Sequence, residues 1–145
     1  MLSASERTAL CSELLLGVRH LALDVDGVIT AAPRFFSALS KSARDSGLRV
    51  SIVTSRSPDP RAVEATRTEL RALRITFDAL HAIPAMGTDD SCPHAALDWY
   101  QRWLWLKVHY CEREGVQLLF DDDAKVIELA ARFGPTLHAV HILGA

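Results

Sequence analysis

Five side chains of this sequence are of the right types, at the right places, to do chemistry together. Asp24 and Asp26 close a short apolar run, His20-Leu21-Ala22-Leu23, and stand two residues apart before Gly27. Thr54 closes a second run, Val50-Ser51-Ile52-Val53, and Asp121 and Asp122 close another, Val116-Gln117-Leu118-Leu119-Phe120. Each run is too apolar for one exposed face, so each reads as a strand buried on both sides of a parallel sheet. The carboxyl ends of such strands lie along one edge, where open α/β sheets hold ligands. If the first strand continued regularly through position 26, Asp24 and Asp26 would point the same way. Four carboxylates converging there repel one another unless a cation sits between them. A hard divalent ion such as Mg²⁺ is the natural occupant, because it takes oxygen ligands and bridges carboxylates to phosphate.

The segments between these strands must position them. Pro33 opens a helix through Phe36, Leu39 and Ala43 to a stop at Gly47. Asp59 and Pro60 open another, to about Leu73, whose arginines read as a solvated face. Arg74–Leu80 reads as a third strand, and Ile83–Pro93, with Pro84, Gly87, Asp89 and Asp90, as a loop where a small lid could sit. A long helix spans about Ala95 to Glu114 and carries all three tryptophans. Trp99, Trp103, Leu106 and Tyr110 share one side of it, with Trp105 elsewhere; that side reads as core, with a dimer face or base stacking as the sharper alternatives. After the acidic strand, Asp123 reads as the N-cap of a helix ending at Gly134, and Leu137–Leu143 as a last strand. Residues 3–17 read as an amphipathic packing helix, with Ser3 and Glu6 at capping-box spacing. The expected fold is a three-layer, Rossmann-like α/β domain with a parallel sheet of about five strands, an N-terminal helix within 1–18 and a core of 19–145.

Composition narrows the function classes. The 145 residues suit one domain, and 49% hydrophobic with 23% charged describes a globular chain. A net charge of −2 gives no general attraction to nucleic acid or anionic membrane. Cys11, Cys92 and Cys111 are too scattered for a disulfide framework or zinc site, and the N-terminus is no signal peptide, so a cytoplasmic setting with reduced thiols is expected. No apolar stretch approaches the roughly 20 residues that cross a bilayer. The six histidines show no pairing with Ser or Cys and read as structural.

The pattern Asp24-Val25-Asp26-Gly27-Val28, then Thr54 ending the next strand, then Asp121-Asp122, resembles the motifs of the haloacid dehalogenase (HAD) superfamily over about residues 20–143. The resemblance implies a Mg²⁺-dependent phosphomonoester hydrolase. Asp24 would be the nucleophile that forms an aspartyl phosphate. Asp26 would act as acid and then base, with its backbone carbonyl on the metal. Thr54, with Ser55 and Arg56, would hold phosphate, and Asp24, Asp26, Asp121 and Asp122 would form the metal site. An aspartate at position 26 favours phosphatase over dehalogenase chemistry. The family's helix-borne lysine falls at Arg102 or Lys107, with Arg102 slightly favoured by spacing.

No insertion is large enough for a cap domain, and an open site suits a macromolecular phosphate or closure by an oligomer partner through the 95–114 helix. Within the superfamily, the chain looks most like polynucleotide kinase-type 3′-phosphatase domains: Arg56 follows Thr54, and Arg34 stands where those domains carry another phosphate-contacting arginine. A nucleic-acid 3′ end is thus one expected substrate, and a sugar phosphate or nucleotide another. A degenerate HAD fold that only binds is the alternative of a different class. A receiver-type phosphoacceptor fits poorly, since its first strand usually starts with adjacent acids.

Overall fold

The computed structural model describes residues 3, 5 and 17–144. Most of the N-terminal helix expected over 3–17, including Glu6 of its expected capping box with Ser3, therefore lies outside the described residues. Five strands, β1 (His20–Leu23), β2 (Arg49–Thr54), β3 (Ala79–Ala82), β4 (Leu118–Asp121) and β5 (His138–His141), form one sheet in the order β3-β2-β1-β4-β5. All four pairings are parallel. Among the described residues, four helices, α1 (Pro33–Asp45), α2 (Pro60–Ala72), α3 (Trp99–Arg113) and α4 (Ala124–Phe133), flank it in a Rossmann-like α/β arrangement. No large cap stands among the described residues.

Alternation along the strands sorts the core into two layers. Leu21, Leu23, Val50 and Ile52 face Phe36 and Ala43 of α1 and Leu70 of α2. Ala22, Val53 and Leu119 face Leu104, Val108 and Cys111 of α3 and Val126, Leu129 and Ala130 of α4. Period-two strands sandwiched between helices explain why β1 is buried at every position. The chain runs outward from β1 through β2 to β3, then returns to lay β4 on β1's other side. That reversal makes a crevice at the carboxyl ends of β1 and β4, the usual place for a ligand in such sheets.

Several expected boundaries shift for local reasons. β3 is not Arg74–Leu80 but Ala79–Ala82. Arg74 turns the chain with φ 59°, and Asp78 Oδ2 accepts the Val50 N–H ahead of the paired residues. α3 starts at Trp99 rather than near 95, because the Asp98 carboxylate accepts from Gln101 N–H while Gln101 Oε1 accepts from Asp98 N–H, a reciprocal cap. The aromatic side of α3 is also distributed differently: Trp105 is 7% exposed, whereas Trp99 is 68% exposed. Trp105 is enclosed because the chain before α3 packs back on it, with His94 edge-on to its ring and His109 stacked at 4.5 Å.

Candidate phosphate and metal site

β1 stops at Leu23, and Asp24 continues it by one backbone bond, donating N–H to Phe120 O. The chain then enters one irregular turn, Val25–Ile29, in which Asp24 Oδ1 accepts from Val25 N–H. Gly27 has φ 74°, and a Cβ there would lie 2.0 Å from Asp122 Oδ2. Glycine is needed twice over, for the left-handed turn and for the close approach of the acidic loop.

The turn separates the first two acids. Asp24 is buried and faces the crevice floor, while the Asp26 side chain is 64% exposed and turned to Arg56. Arg56 grips it with two bonds, Nε to Oδ2 at 2.9 Å and Nη2 to Oδ1 at 2.7 Å, and holds Glu69 of α2 at 2.6 Å through Nη1. Bonding to Arg56 keeps the Asp26 carboxyl below the usual carboxylate range. The expected convergence of four carboxylates is therefore one of three: oxygens of Asp24, Asp121 and Asp122 lie within 4.8 Å of one another, an acidic triad that could hold a metal ion. The fourth is drawn off because the regular strand ends at Asp24.

Lys107 of α3 is placed against this triad. Its Nζ lies 2.7 Å from Asp121 Oδ2 and 3.3 Å from Asp24 Oδ2, with the lysine side chain 2% exposed. Burial pushes the ammonium's pKa down, but the charges of Asp24 and Asp121 and their bonds outweigh it and hold it above the ordinary lysine value. Asp24 is pushed up to about 6, chiefly by burial, with Lys107 opposing and Asp121 adding to the shift. Asp121 Oδ1 accepts from Asp123 N–H, and Asp122 is raised by partial burial and by Asp121.

Arg102 points elsewhere. Its guanidinium bonds the carbonyls of Cys92 and His94 and the Asp90 carboxylate, and Trp103 Nε1 donates to Pro84 O, so α3 ties down the preceding loop. The segment read as a lid is stapled at both ends. The slight preference for Arg102 over Lys107 is reversed in the geometry because α3 buries the stripe Leu104, Lys107, Val108 and Cys111. A lysine in the middle of an apolar i, i+3, i+4 stripe was the signal available for it.

Of the expected phosphate ligands, Ser55 lines the cleft, and Thr54 is buried with its hydroxyl accepting from Arg56 N–H. Arg34 is exposed on the first turn of α1 and does not line the cleft. Asp123 caps α4 through Oδ1, accepting from Lys125 N–H. Its Oδ2 accepts from the Tyr100 hydroxyl at 2.8 Å, a contact that raises the Tyr100 phenol to about 12. Tyr100 was missed as a site residue, since a half-buried aromatic gives no signal of which cleft it borders. The cleft measures about 390 Å³ and is lined by Asp24, Asp26, Ser55, Tyr100, Leu104, Lys107, Asp121, Asp122, Asp123 and Ala124.

No protein-family model and no curated protein sequence matches the chain. Among solved structures, it is similar to a chain in the "Structure of Pnkp1/Rnl/Hen1 complex", with TM-score 0.60 and 16% identity over 90% of this chain and 47% of that one. It is likewise similar to a chain in the "Structure of the Pnkp1/Rnl/Hen1 RNA repair complex", with TM-score 0.59 and 17% identity over 89% of this chain and 44% of that one. The chain thus spans about half the length of these neighbours, and at such identity the likeness is one of fold.

Proposed function

We propose that this chain is a phosphomonoester hydrolase of the HAD type that works on a nucleotide or polynucleotide phosphate, with Mg²⁺ held by Asp24, Asp121 and Asp122. The observation that carries the reading is Lys107: a buried ammonium bridging the first-strand and fourth-strand acids, beside an oxygen-only donor set. Three oxygen donors suit a hard divalent ion, and soft ligands are absent from the triad. When bound, such an ion neutralises charge between an incoming phosphate and the carboxylates.

Asp24 is the nucleophile. Val25 N–H fixes one of its oxygens, and the other, beside Lys107, attacks phosphorus in line with the leaving oxygen. The aspartyl phosphate that forms is then opened by water. Lys107 keeps Asp24 from repelling the phosphate and, through its bond to Asp121, ties the first-strand and fourth-strand acids together. Ser55, at the cleft wall, and the Thr54–Arg56 turn supply donors for the remaining phosphate oxygens. Asp26 moves protons: swung away from Arg56, whose bonds hold its carboxyl low, it carries a proton into the cleft it borders and gives it to the leaving oxygen, and the carboxylate so formed takes a proton back from the water that opens the aspartyl phosphate. By the resemblance, its backbone carbonyl would be a further oxygen ligand for the metal. The fold likeness to chains of an RNA repair complex supports the nucleotide-related substrate over a sugar phosphate.

The test is phosphate release with Mg²⁺ from 3′-phosphorylated oligonucleotides, nucleotides and sugar phosphates, in wild type and Asp24→Asn. Release that requires both Mg²⁺ and Asp24 is expected. Release that survives Asp24→Asn would overturn the assignment.

A further inference from the structure

Resting on the phosphomonoester reading, we propose that Trp99 and Tyr100 form a stacking rim that takes the nucleobase of the substrate's leaving group. Tyr100 borders the cleft together with Asp26 and Ser55, and its hydroxyl bond to Asp123, which lines the same cleft, pins the ring there. Trp99 meets Tyr100 edge-on, with centroids 6.0 Å apart and planes at 72°, and does not itself line the cleft. It is the first residue of α3, where the Asp98–Gln101 cap fixes the backbone beneath it. The indole is 68% exposed, whereas Trp105 and Tyr110 of the same helix are buried and Trp103 is half-buried against the core. An indole left in water on a capped helix end, in contact with a ring that lines the cleft, offers a flat face beside it.

Charge selects what that face would meet. The cations near the triad are already engaged: Lys107 with Asp24 and Asp121, Arg56 with Asp26 and Glu69. Asp122 and Asp123 add negative charge to the same cleft. Further phosphates of a nucleic-acid backbone would find little to pair with there, whereas a base needs only a π-face. The shared chemistry is a nucleobase attached to the scissile phosphate, supplied by a mononucleotide or by the terminal nucleotide of an oligonucleotide.

The experiment compares wild type with Trp99→Ala and Trp99→Phe on a nucleoside monophosphate, a 3′-phosphorylated oligonucleotide and ribose 5-phosphate. Losing one base–aromatic stack costs roughly 5- to 150-fold. Trp99→Ala is expected to lose that factor in kcat/KM, through KM, on whichever base-bearing substrate is the source, and to leave ribose 5-phosphate unchanged. Trp99→Phe should retain most of the wild-type value. A second readout needs no turnover: adenosine should quench tryptophan fluorescence in Asp24→Asn, and Trp99→Phe should abolish that quenching while Trp103 and Trp105 still emit. Equal losses with and without a base, or turnover of nucleotides with no Trp99-dependent quenching, would overturn the rim. Quenching without phosphate release from any substrate would overturn the hydrolase reading and leave the rim standing as a nucleoside-binding surface.

Discussion

Replacing Lys107 by methionine tests the centre of the site. The side chains of Lys107, Asp24 and Asp121 are 2%, 8% and 0% exposed, with the ammonium 3.3 Å and 2.7 Å from the two acids. Methionine fills much of the same volume, so the loss is mainly of charge. Removing one partner of a buried ion pair costs about 3–5 kcal/mol, because the remaining charge loses its compensation. For a domain of this size that corresponds to a fall in Tm of roughly 6–20 °C. Urea unfolding in EDTA measures the cost directly, with Lys125→Met, exposed on α4, as a control expected to stay within about 0.5 kcal/mol. Saturating Mg²⁺ at about 100 times its Kd should return roughly 2.7 kcal/mol to any variant that retains the triad. A cost below about 1 kcal/mol for Lys107→Met in EDTA would refute the reasoning: the acids would then not depend on that cation.

Gly27→Ala should cost only about 1–2 kcal/mol in stability from the left-handed backbone, since the Asp122 side chain can rotate away. Its Mg²⁺ affinity by calorimetry should nevertheless fall roughly 10- to 100-fold, and an unchanged affinity would remove Asp122 from the site. His20 is held neutral: its Nδ1–H donates to Glu114 O, its Nε2 accepts from Ser51 Oγ, and burial lowers its pKa. The unfolded chain therefore binds the extra proton first, and stability should fall as pH drops below about 6.5, the ordinary histidine value. A His20→Gln variant should lose that slope in urea titrations; a slope that persists would assign it to another group. Arg56→Gln should let the Asp26 carboxyl rise toward its ordinary value in carbon-detected NMR. The stability that Asp26 contributes above its unfolded pKa, and loses as pH falls through its lower folded value, should shrink with it. No movement of Asp26 would mean that the two-bond grip does not persist in solution.

The strand ends were legible because buried parallel strands leave continuous apolar runs, and Asp24, Thr54 and Asp121 stand where those runs stop. Helix phase was not. Arg102 and Lys107 are five residues apart, so which one faces the sheet depends on where α3 begins, and that was set by the Asp98 cap together with the packing of the whole stripe. The direction of Asp26 was hidden for a related reason. Alternation predicts side chains only while a strand stays regular, and the chain leaves extension immediately after Asp24. β3 was displaced because Arg74–Asp78 has a strand-like composition but spends its polar groups on a turn and on the end of β2. Trp99 and Trp105 exchanged roles because enclosure of the latter comes from His94, in a loop whose path no periodicity encodes.

The contact between Gly27 and Asp122 has a consequence for how this site can change over generations. A side chain at 27 would turn the Asp122 carboxylate away from Asp24 and Asp121, and a residue small enough at 122 to avoid the contact would carry no acid. Neither position can drift alone without passing through a state in which the acid is either displaced from the site or lost. Two segments distant in the chain are thus inherited as a unit, and lineages that keep the acid at 122 should be found to keep glycine at 27.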